Sequence, residues 1–521
     1  MTYEKSVKKI ISEIDKYSKD SILDESIGYL SRIEDGRDER ARAMPHIIYL
    51  LIKWSMLSTG GTKTKITGKE FSKLANQIYK IQHLAVDLKP DEGFWLKLRV
   101  MLMQQTIPQK NYQSHLITLS RQKYWFASKE DNHYNKIFQE ITGVSLNNFY
   151  SIIFYLAACA IPPGRNIENI DFSTLIIQLS PSISIEEIAA TMKLLSLRPE
   201  DIPEYLKKFE LPEHPLWEYF SETPLINKPL LINENTISFI DKDLFLRSMS
   251  DFTSRLLKSK DIYFKDNFGI TMENYVAELF TKHNLSHFTE KEIGDMYKRM
   301  GKKAKIVDFI INEDAKIYLD SKAIEPNALV STSHDPDVLK RSLEASYIKA
   351  IFQGQECCHA LTQGKMFGPS ENFLLIVVHQ DHYISSGIRI EELIYPDLSK
   401  EIIEKFGHIP IPIKNIYYIT IDDLEMLVAI ESQKKYSICE ILRDAVILDE
   451  KPETSCMLFS MHIEKCGGPN LNNDMRDRCK YDFDEGMNFI LENSKYWNGK
   501  IYEFMHQRGK LKLSTHKKQK M

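Results

Sequence analysis

Between Lys302 and Lys322 the chain reads Lys-Lys-Ala-Lys-Ile-Val-Asp-Phe-Ile-Ile-Asn-Glu-Asp-Ala-Lys-Ile-Tyr-Leu-Asp-Ser-Lys, and this stretch most narrows what the protein can fold into. Ile306 to Ile311 and Ile317 to Leu319 are rich in β-branched and aromatic residues, and the polar break Asn312-Glu313-Asp314 between them has the composition of a hairpin turn. Both faces of these strands are apolar, so the hairpin belongs inside a covered sheet rather than on its rim. Yet the strands carry Asp308, Asp320 and Lys322. Charge buried without a partner is costly, so these groups need each other or a ligand. Alternation along a strand puts Asp320 and Lys322 on one face, with Leu319 and Ser321 on the other. A loop of Glu313 to Ala315 sets Asp308 opposite Asp320 on that same face, whereas a two-residue loop turns it away.

Two carboxylates on one strand face, with an ammonium group one pleat further on, suit a hard divalent cation. Mg²⁺, with Mn²⁺ as a possible substitute, prefers such oxygens and keeps several waters. The backbone carbonyl of Ser321 is a further candidate ligand. A metal held there polarises a phosphodiester and acidifies a bound water, while Lys322 orients that water or neutralises developing charge. The plainer alternative is an ordinary sheet in which Lys322 neutralises Asp320.

The arrangement resembles the PD-(D/E)XK nuclease superfamily, the restriction-endonuclease-like fold, with Val307 at the proline position. That resemblance implies a core running helix, three strands, helix, strand. Gly269 to Phe280 matches the first helix, with Glu273 as its acidic residue and Glu278 as the weaker choice. His287 to Tyr297 is expected as the first strand, and Asp308 and Asp320-Ser321-Lys322 fall on the second and third. Asp335-Pro336 supplies an N-cap and first-turn proline for a helix reaching about Leu361, and Phe373 to His379 closes the core. The resemblance also implies a polar residue brought to the site from the later helix, Gln353 first and Lys349 second, with exposed helix surface as the plain reading of either. It covers residues 260 to 380 and is silent on the remainder. An acidic residue two before a lysine recurs at Asp87/Lys89, Asp314/Lys316 and Asp449/Lys451, so the signal lies in order and context.

A chain of 521 residues that is 43% hydrophobic has ample material for several packed cores. The first residues show no apolar signal region, and the run Ile47 to Leu57 is broken by Lys53 and short for a bilayer. Seven cysteines without a regular framework fit a reducing compartment, and a cytoplasmic location with no membrane partner is expected. A net charge of −4 excludes a uniformly basic nucleic-acid coat, so phosphate contacts must be local. Lys302, Lys303 and Lys305, with Lys298 and Arg299, form such a patch leading into the Asp308 strand; a solvated connection between strands is the bland reading.

Residues 1–225 read as a helical regulatory or substrate-recognition region, from three-and-four apolar spacing in Phe71 to Leu84, Phe94 to Met103 and Phe149 to Leu156. Pro45 fits a helix start, Ser145 an N-cap, and Ser184 with Glu187 a capping box. The Ser184 to Phe209 helix pair suits packing better than DNA reading. Arg121, Lys123, Tyr124 and Trp125 mix basic and aromatic groups that can stack on bases, though a core-and-surface role is favoured. Gly60 to Lys69 fails the phosphate-loop spacing, with Lys63 where a glycine is needed and Glu70 in place of the hydroxyl. Residues 226–260 read as a joint with a hairpin at Pro229 to Ile240 and a helix from Asp241 through about Leu257. Residues 261–430 form the nuclease-like core, with a strand at Ile416 to Ile421 and a helix capped near Asp422 or Asp423. Residues 431–521 are a mixed extension whose basic tail, Arg508 to Lys520, is expected to be disordered. His462, Cys466, Cys479 and Cys456 lack persuasive zinc spacing.

The expectation is therefore a multidomain α and α/β protein, a mostly helical N-terminal region followed by a restriction-endonuclease-like αβββαβ core. Its expected activity is that of a Mg²⁺-dependent endonuclease acting on nucleic acid, DNA favoured. Asp308, Asp320, Ser321 and Glu273 would serve the metal, Lys322 the nucleophile, and Gln353 the site from the side. A regulatory protein partner or a homodimer, and a role in restriction-like or antiviral defence, follow by analogy. The alternatives are a catalytically silent nuclease-like binding or assembly module and an RNA-directed nuclease.

Overall fold

In the computed structural model, residues 2–33, 43–60, 64–88, 93–106, 112–128, 132–161, 169–211, 213–323, 328–379, 381–451, 453–467 and 473–516 are described. The chain divides into two compact units. One comprises Met1–Leu88, Gln104–Ile262 and Asp474–Met521, the other Lys89–Met103 and Tyr263–Asn473. Consecutive segments were expected; instead residues 89–103 and 431–473 join the second unit and 474–521 the first.

The physical reason lies in the last helix. Ile501–His516 packs on the helices Phe172–Leu179 and Ile185–Leu195, burying Leu511 and Thr515. Just before it, the Trp497 indole donates to the carbonyls of Ile176 (3.2 Å) and Ser180 (2.9 Å). The basic stretch from Arg508 is thus helical as far as His516, and the remainder of the expected tail lies outside the described residues.

The helical unit is built as its caps and periodicity dictate. Pro45 opens the helix Pro45–Leu57 at its first position. Ser145 caps Leu146–Ala160, and Ser184 caps Ile185–Leu195, each accepting from the backbone three residues on. Glu187 does not close the box to the Ser184 backbone; it holds the Asn148 amide instead. Arg121 and Trp125 are buried, Lys123 is paired with Asp482 and Glu485, and Tyr124 lies under the Arg478 guanidinium. This group is core and ion-paired surface rather than a base-stacking platform. The helices of the Ser184 to Phe209 pair likewise bury their apolar faces.

A small mixed sheet in order β1-β4-β3-β2 completes the unit, from strands Asn169–Asp171 (β1), Ser196–Leu197 (β2), Leu230–Ile232 (β3) and Thr236–Phe239 (β4). The β3–β4 pairing forms the expected hairpin, but after Asp241 there are two helices, Lys242–Met249 and Phe252–Lys260, not one. No single helix among the described residues is long and apolar enough to cross a membrane. One bent pair, His133–Thr142 with Leu146–Ala160, has the length and composition together, and the second of these is a buried core helix.

A deeply buried ion pair sits in this unit. Lys53 Nζ is 2.7 Å from Glu218 Oε1, and the His214 ring is 2.8 Å from Oε2. Burial pushes the Glu218 carboxyl up, but His214 and Lys53 more than offset it and hold it below the ordinary carboxylate value.

The other unit is organised on a five-stranded sheet whose spatial order follows the chain, β5-β6-β7-β8-β9. The strands are Phe288–Thr289 (β5), Phe309–Asn312 (β6), Lys316–Lys322 (β7), Asn372–Val378 (β8) and Ile416–Thr420 (β9). β6 is antiparallel to both its neighbours, and β7, β8 and β9 run parallel. The helices Phe264–Lys282 and Lys349–Gln363 both contact β7, so the central strand is covered and its first five residues are buried. That agrees with a hairpin read as apolar on both faces.

The expected first strand is corrected. Only Phe288 and Thr289 pair; Glu290–Met300 is a helix with a complete capping box from Thr289 and Glu292. Ile293, Met296 and Tyr297 bury its apolar stripe, and Gly301 ends it in the left-handed region, where a side chain would be strained. The helix after β9 is capped by Thr420 rather than by Asp422 or Asp423, with Asp423 closing the box.

A candidate metal and phosphate site at the carboxyl end of the central strand

Residue pairing across the hairpin runs Phe309 to Leu319 through Asn312 to Lys316, leaving Glu313, Asp314 and Ala315 as the loop. Extending that register by one residue sets Asp308 beside Asp320. Asp308 lies just before β6, and one carboxylate oxygen accepts from both the backbone N–H and the hydroxyl of Ser321, each at 2.6 Å. Asp320 is fully buried. Its Oδ2 is 2.6 Å from Lys322 Nζ, and its Oδ1 accepts from the Gln353 amide at 3.2 Å. Gln353 also donates to the Ile306 carbonyl and accepts from Lys322 at 3.5 Å.

The Gln353 contacts depend on the helix that carries it. A turn of π-helix, Glu344–Ile348, precedes Lys349–Gln363. Gly354 lets that helix approach β8 closely, since a Cβ there would come within 2.6 Å of the Leu374 side chain.

Two carboxyl groups here are shifted upward. Burial, reinforced by the Asp308 carboxylate, pushes Asp320 up to about 7, although Lys322 and Lys349 act in the opposite direction. Glu273, on the helix Phe264–Lys282, is also raised, by burial first and then by Asp308. The Asp308 carboxylate thus acts on both of the other carboxyl groups.

Hard oxygen donors of this kind suit Mg²⁺, and the upward shift of Asp320 shows what a cation there would relieve. Asp308, Asp320 and the Ser321 carbonyl would be the residues to hold it, with the Glu273 carboxyl coupled to Asp308. The carboxylates are not drawn into one tight sphere: among the described residues, the trios of His, Cys, Asp or Glu close enough to share an ion are Asp449, Cys456, His462 and Glu313, Asp314, Cys439.

The lysine run follows the Lys349–Gln363 helix away from the aspartates. Ile306 meets Gln353, the Lys305 backbone meets Glu356 at 3.0 Å, and Lys302 Nζ meets Gln363 at 3.0 Å. Lys303 and Lys305 are exposed, Lys302 half-buried. Ten helical residues separate Gln363 from Gln353, about 15 Å at the α-helical rise. Lys302 is thus a distant contact and Lys305 a near one.

Sequence reasoning undervalued His379. The parallel register pairs Lys322 with Val378, so His379 follows immediately at the strand end, buried and edge-on to Phe268. Carboxyl ends of parallel strands are where ligands bind in open α/β sheets, and that rule was the available signal.

No family model, no curated protein and no solved structure matches this chain.

Proposed function

We propose that this protein is a divalent-metal-dependent nuclease that hydrolyses phosphodiester bonds, with DNA as the favoured substrate and internal cleavage as the mode. The observation that carries the reading is the buried Asp320 at the end of a covered central strand, with Lys322 and Gln353 converging on it and Asp308, one residue beyond the hairpin register, acting on its charge. Element order adds support: the helix Phe264–Lys282, strands β5 to β7, the helix Lys349–Gln363 and β8 follow the order implied by the PD-(D/E)XK resemblance. The helix Glu290–Met300 between the first two strands and the two-residue length of β5 depart from the expected pattern.

In this reading Asp308 and Asp320 hold Mg²⁺, which when bound would polarise the phosphodiester and acidify its attacking water. Ser321 anchors Asp308 through two hydrogen bonds. Gln353 fixes the Asp320 carboxylate and keeps one oxygen from turning. Lys322 presents its ammonium to the non-bridging phosphate oxygens and neutralises charge that develops during in-line attack. Lys305 and Lys303 give salt-dependent, sequence-independent phosphate affinity.

The test is cleavage of supercoiled plasmid, linear duplex, single-stranded DNA and RNA by purified wild type and Asp320→Ala, in Mg²⁺ and in EDTA. Mg²⁺-dependent cutting of DNA that disappears in the variant supports the proposal. Preferential cutting of RNA moves the substrate class, and nucleic-acid binding with no cutting of any substrate favours a silent module in which Lys322 simply neutralises Asp320.

A further inference from the structure

A second constellation lies in the same unit, at the junction between the helix Ile438–Asp449 and the helix Ser460–Gly467. Asp449 is the last residue of the first helix, Cys456 sits in the connection, and His462 is in the first turn of the second. One donor atom from each lies within 4.8 Å of the other two. Cys456 and His462 are buried, 4% and 3% exposed, and the Asp449 side chain is 7% exposed. These are one thiol, one imidazole and one carboxylate, a donor set with a borderline-soft cation as its natural occupant.

The geometry is close to what such an ion needs. Bonds of about 2.0–2.1 Å to nitrogen and oxygen put two tetrahedral ligand atoms about 3.3 Å apart; His462 Nε2 is 3.2 Å from the Asp449 carboxylate. A proton can also bridge that distance. Nδ1 of the same ring has no hydrogen-bond partner among the described residues in either case. The surroundings hold the donors in place. The Cys456 backbone N–H donates to Asp449 at 2.9 Å, and Tyr417 from β9 donates its hydroxyl to the other carboxylate oxygen at 3.4 Å. Phe459 and Tyr417 wall the imidazole. Lys465 Nζ lies 3.7 Å from Cys456 Sγ.

The alternative trio, Glu313, Asp314 and Cys439, is weaker, because its two carboxylates are exposed and the Arg443 guanidinium already bonds Asp314. Nor does a nucleophilic role suit Cys456, whose burial denies a substrate access.

We infer that Asp449, Cys456 and His462 form a Zn²⁺ site with a fourth position for water, which staples the two helices and their connection over β9. It is independent of the nuclease reading, since it shares no residue with the Asp308–Asp320 site.

The experiment uses the full-length protein, stripped with chelator and titrated with Zn²⁺ or with Co²⁺ as a coloured substitute. Wild type is expected to retain one Zn²⁺ per chain after dialysis and to show a thiolate-to-cobalt charge-transfer band. Cys456→Ser and His462→Gln should lose both, while Cys439→Ser, Cys466→Ser and Asp320→Ala keep both. No band in wild type with excess Co²⁺, a band that persists in Cys456→Ser, or one that vanishes in Cys439→Ser would overturn the inference. Should the substituted proteins fail to fold, zinc-edge X-ray absorption of wild type decides: one sulfur among nitrogen and oxygen ligands supports the site, and a shell without sulfur refutes it.

Discussion

Two lysine–carboxylate pairs with buried acids, one in each unit, look alike by distance and differ in what surrounds the acid. Lys53 and Glu218 meet at 2.7 Å, Lys322 and Asp320 at 2.6 Å, and both acids are almost wholly buried. Around Glu218 the next group is His214, so the acid is held below its ordinary value despite burial. Around Asp320 the next group is another carboxylate, Asp308, and burial plus that neighbour raise it to about 7. The neighbours of Glu218 favour its ionised form, whereas Asp308 opposes ionisation of Asp320. Proximity of opposite charges therefore says little about role; the third charge decides it.

The comparison is broken most severely by cleavage assays. Asp320→Ala should lose roughly 10³-fold or more of Mg²⁺-dependent cutting, the scale on which losing a charge-stabilising active-site group registers, while Glu218→Gln should cut at the wild-type rate at temperatures where it is folded. Equal losses in both would dissolve the distinction.

Next comes stability. Lys53→Met leaves a buried carboxylate without its main cation and should cost about 3–5 kcal/mol in denaturant unfolding. Lys322→Met should cost far less, because Asp320 can take up a proton instead, yet it should abolish cutting. A Lys322→Met protein as destabilised as Lys53→Met would show that the second pair, too, is structural.

Gln353→Ala should lower cutting by about 10- to 100-fold, as removal of a group that orients a metal ligand does, with a KM near that of wild type. An unchanged kcat would mean that Gln353 serves only the helix and the Ile306 carbonyl.

The smallest effect is in pH dependence. Folded Asp320 keeps its proton from about pH 4 to about pH 7, where the unfolded chain has released it, so stability falls as pH rises through that window. Asp423, also buried and raised to about 7, behaves alike, and comparison with Asp320→Asn subtracts it. The Tm of wild type relative to Asp320→Asn should therefore decline between pH 5 and pH 8, and Mg²⁺ should recover more of it at pH 8. A flat difference across that range would refute the raised value.

The site was legible to the extent that local rules set it. Strand alternation and a three-residue loop were enough to bring Asp308 beside Asp320, because hairpin register follows from loop length. Glu290–Met300 was misread as strand although Thr289-x-x-Glu292 and the spacing of Ile293, Met296 and Tyr297 spelled a capped amphipathic helix; the demand for a first strand outweighed the local pattern. Lys302 meets Gln363, well along the helix from Gln353, because sequence proximity to Asp308 does not reveal that the segment travels along a helix. Of the residues near Cys456 and His462 in type, Cys479 belongs to the other unit, and the third donor of the trio, Asp449, is a carboxylate that cysteine and histidine spacing does not mark. The helical unit's recruitment of residues 474–521 rests on long-range packing, on which periodicity is silent.

The π turn at Glu344–Ile348 acts as a phase shifter. Each residue of an α-helix advances the side-chain direction by about 100°, and one extra residue in a turn rotates everything downstream by that amount. Upstream, Leu339 and Leu343 point into the core; downstream, Gln353 points at Asp320. Removing a single residue such as Ser346 would leave composition and helix content almost unchanged while swinging Gln353 through more than a quarter turn. The angular setting of the site is thus stored in one surplus residue on the far side of a helix turn.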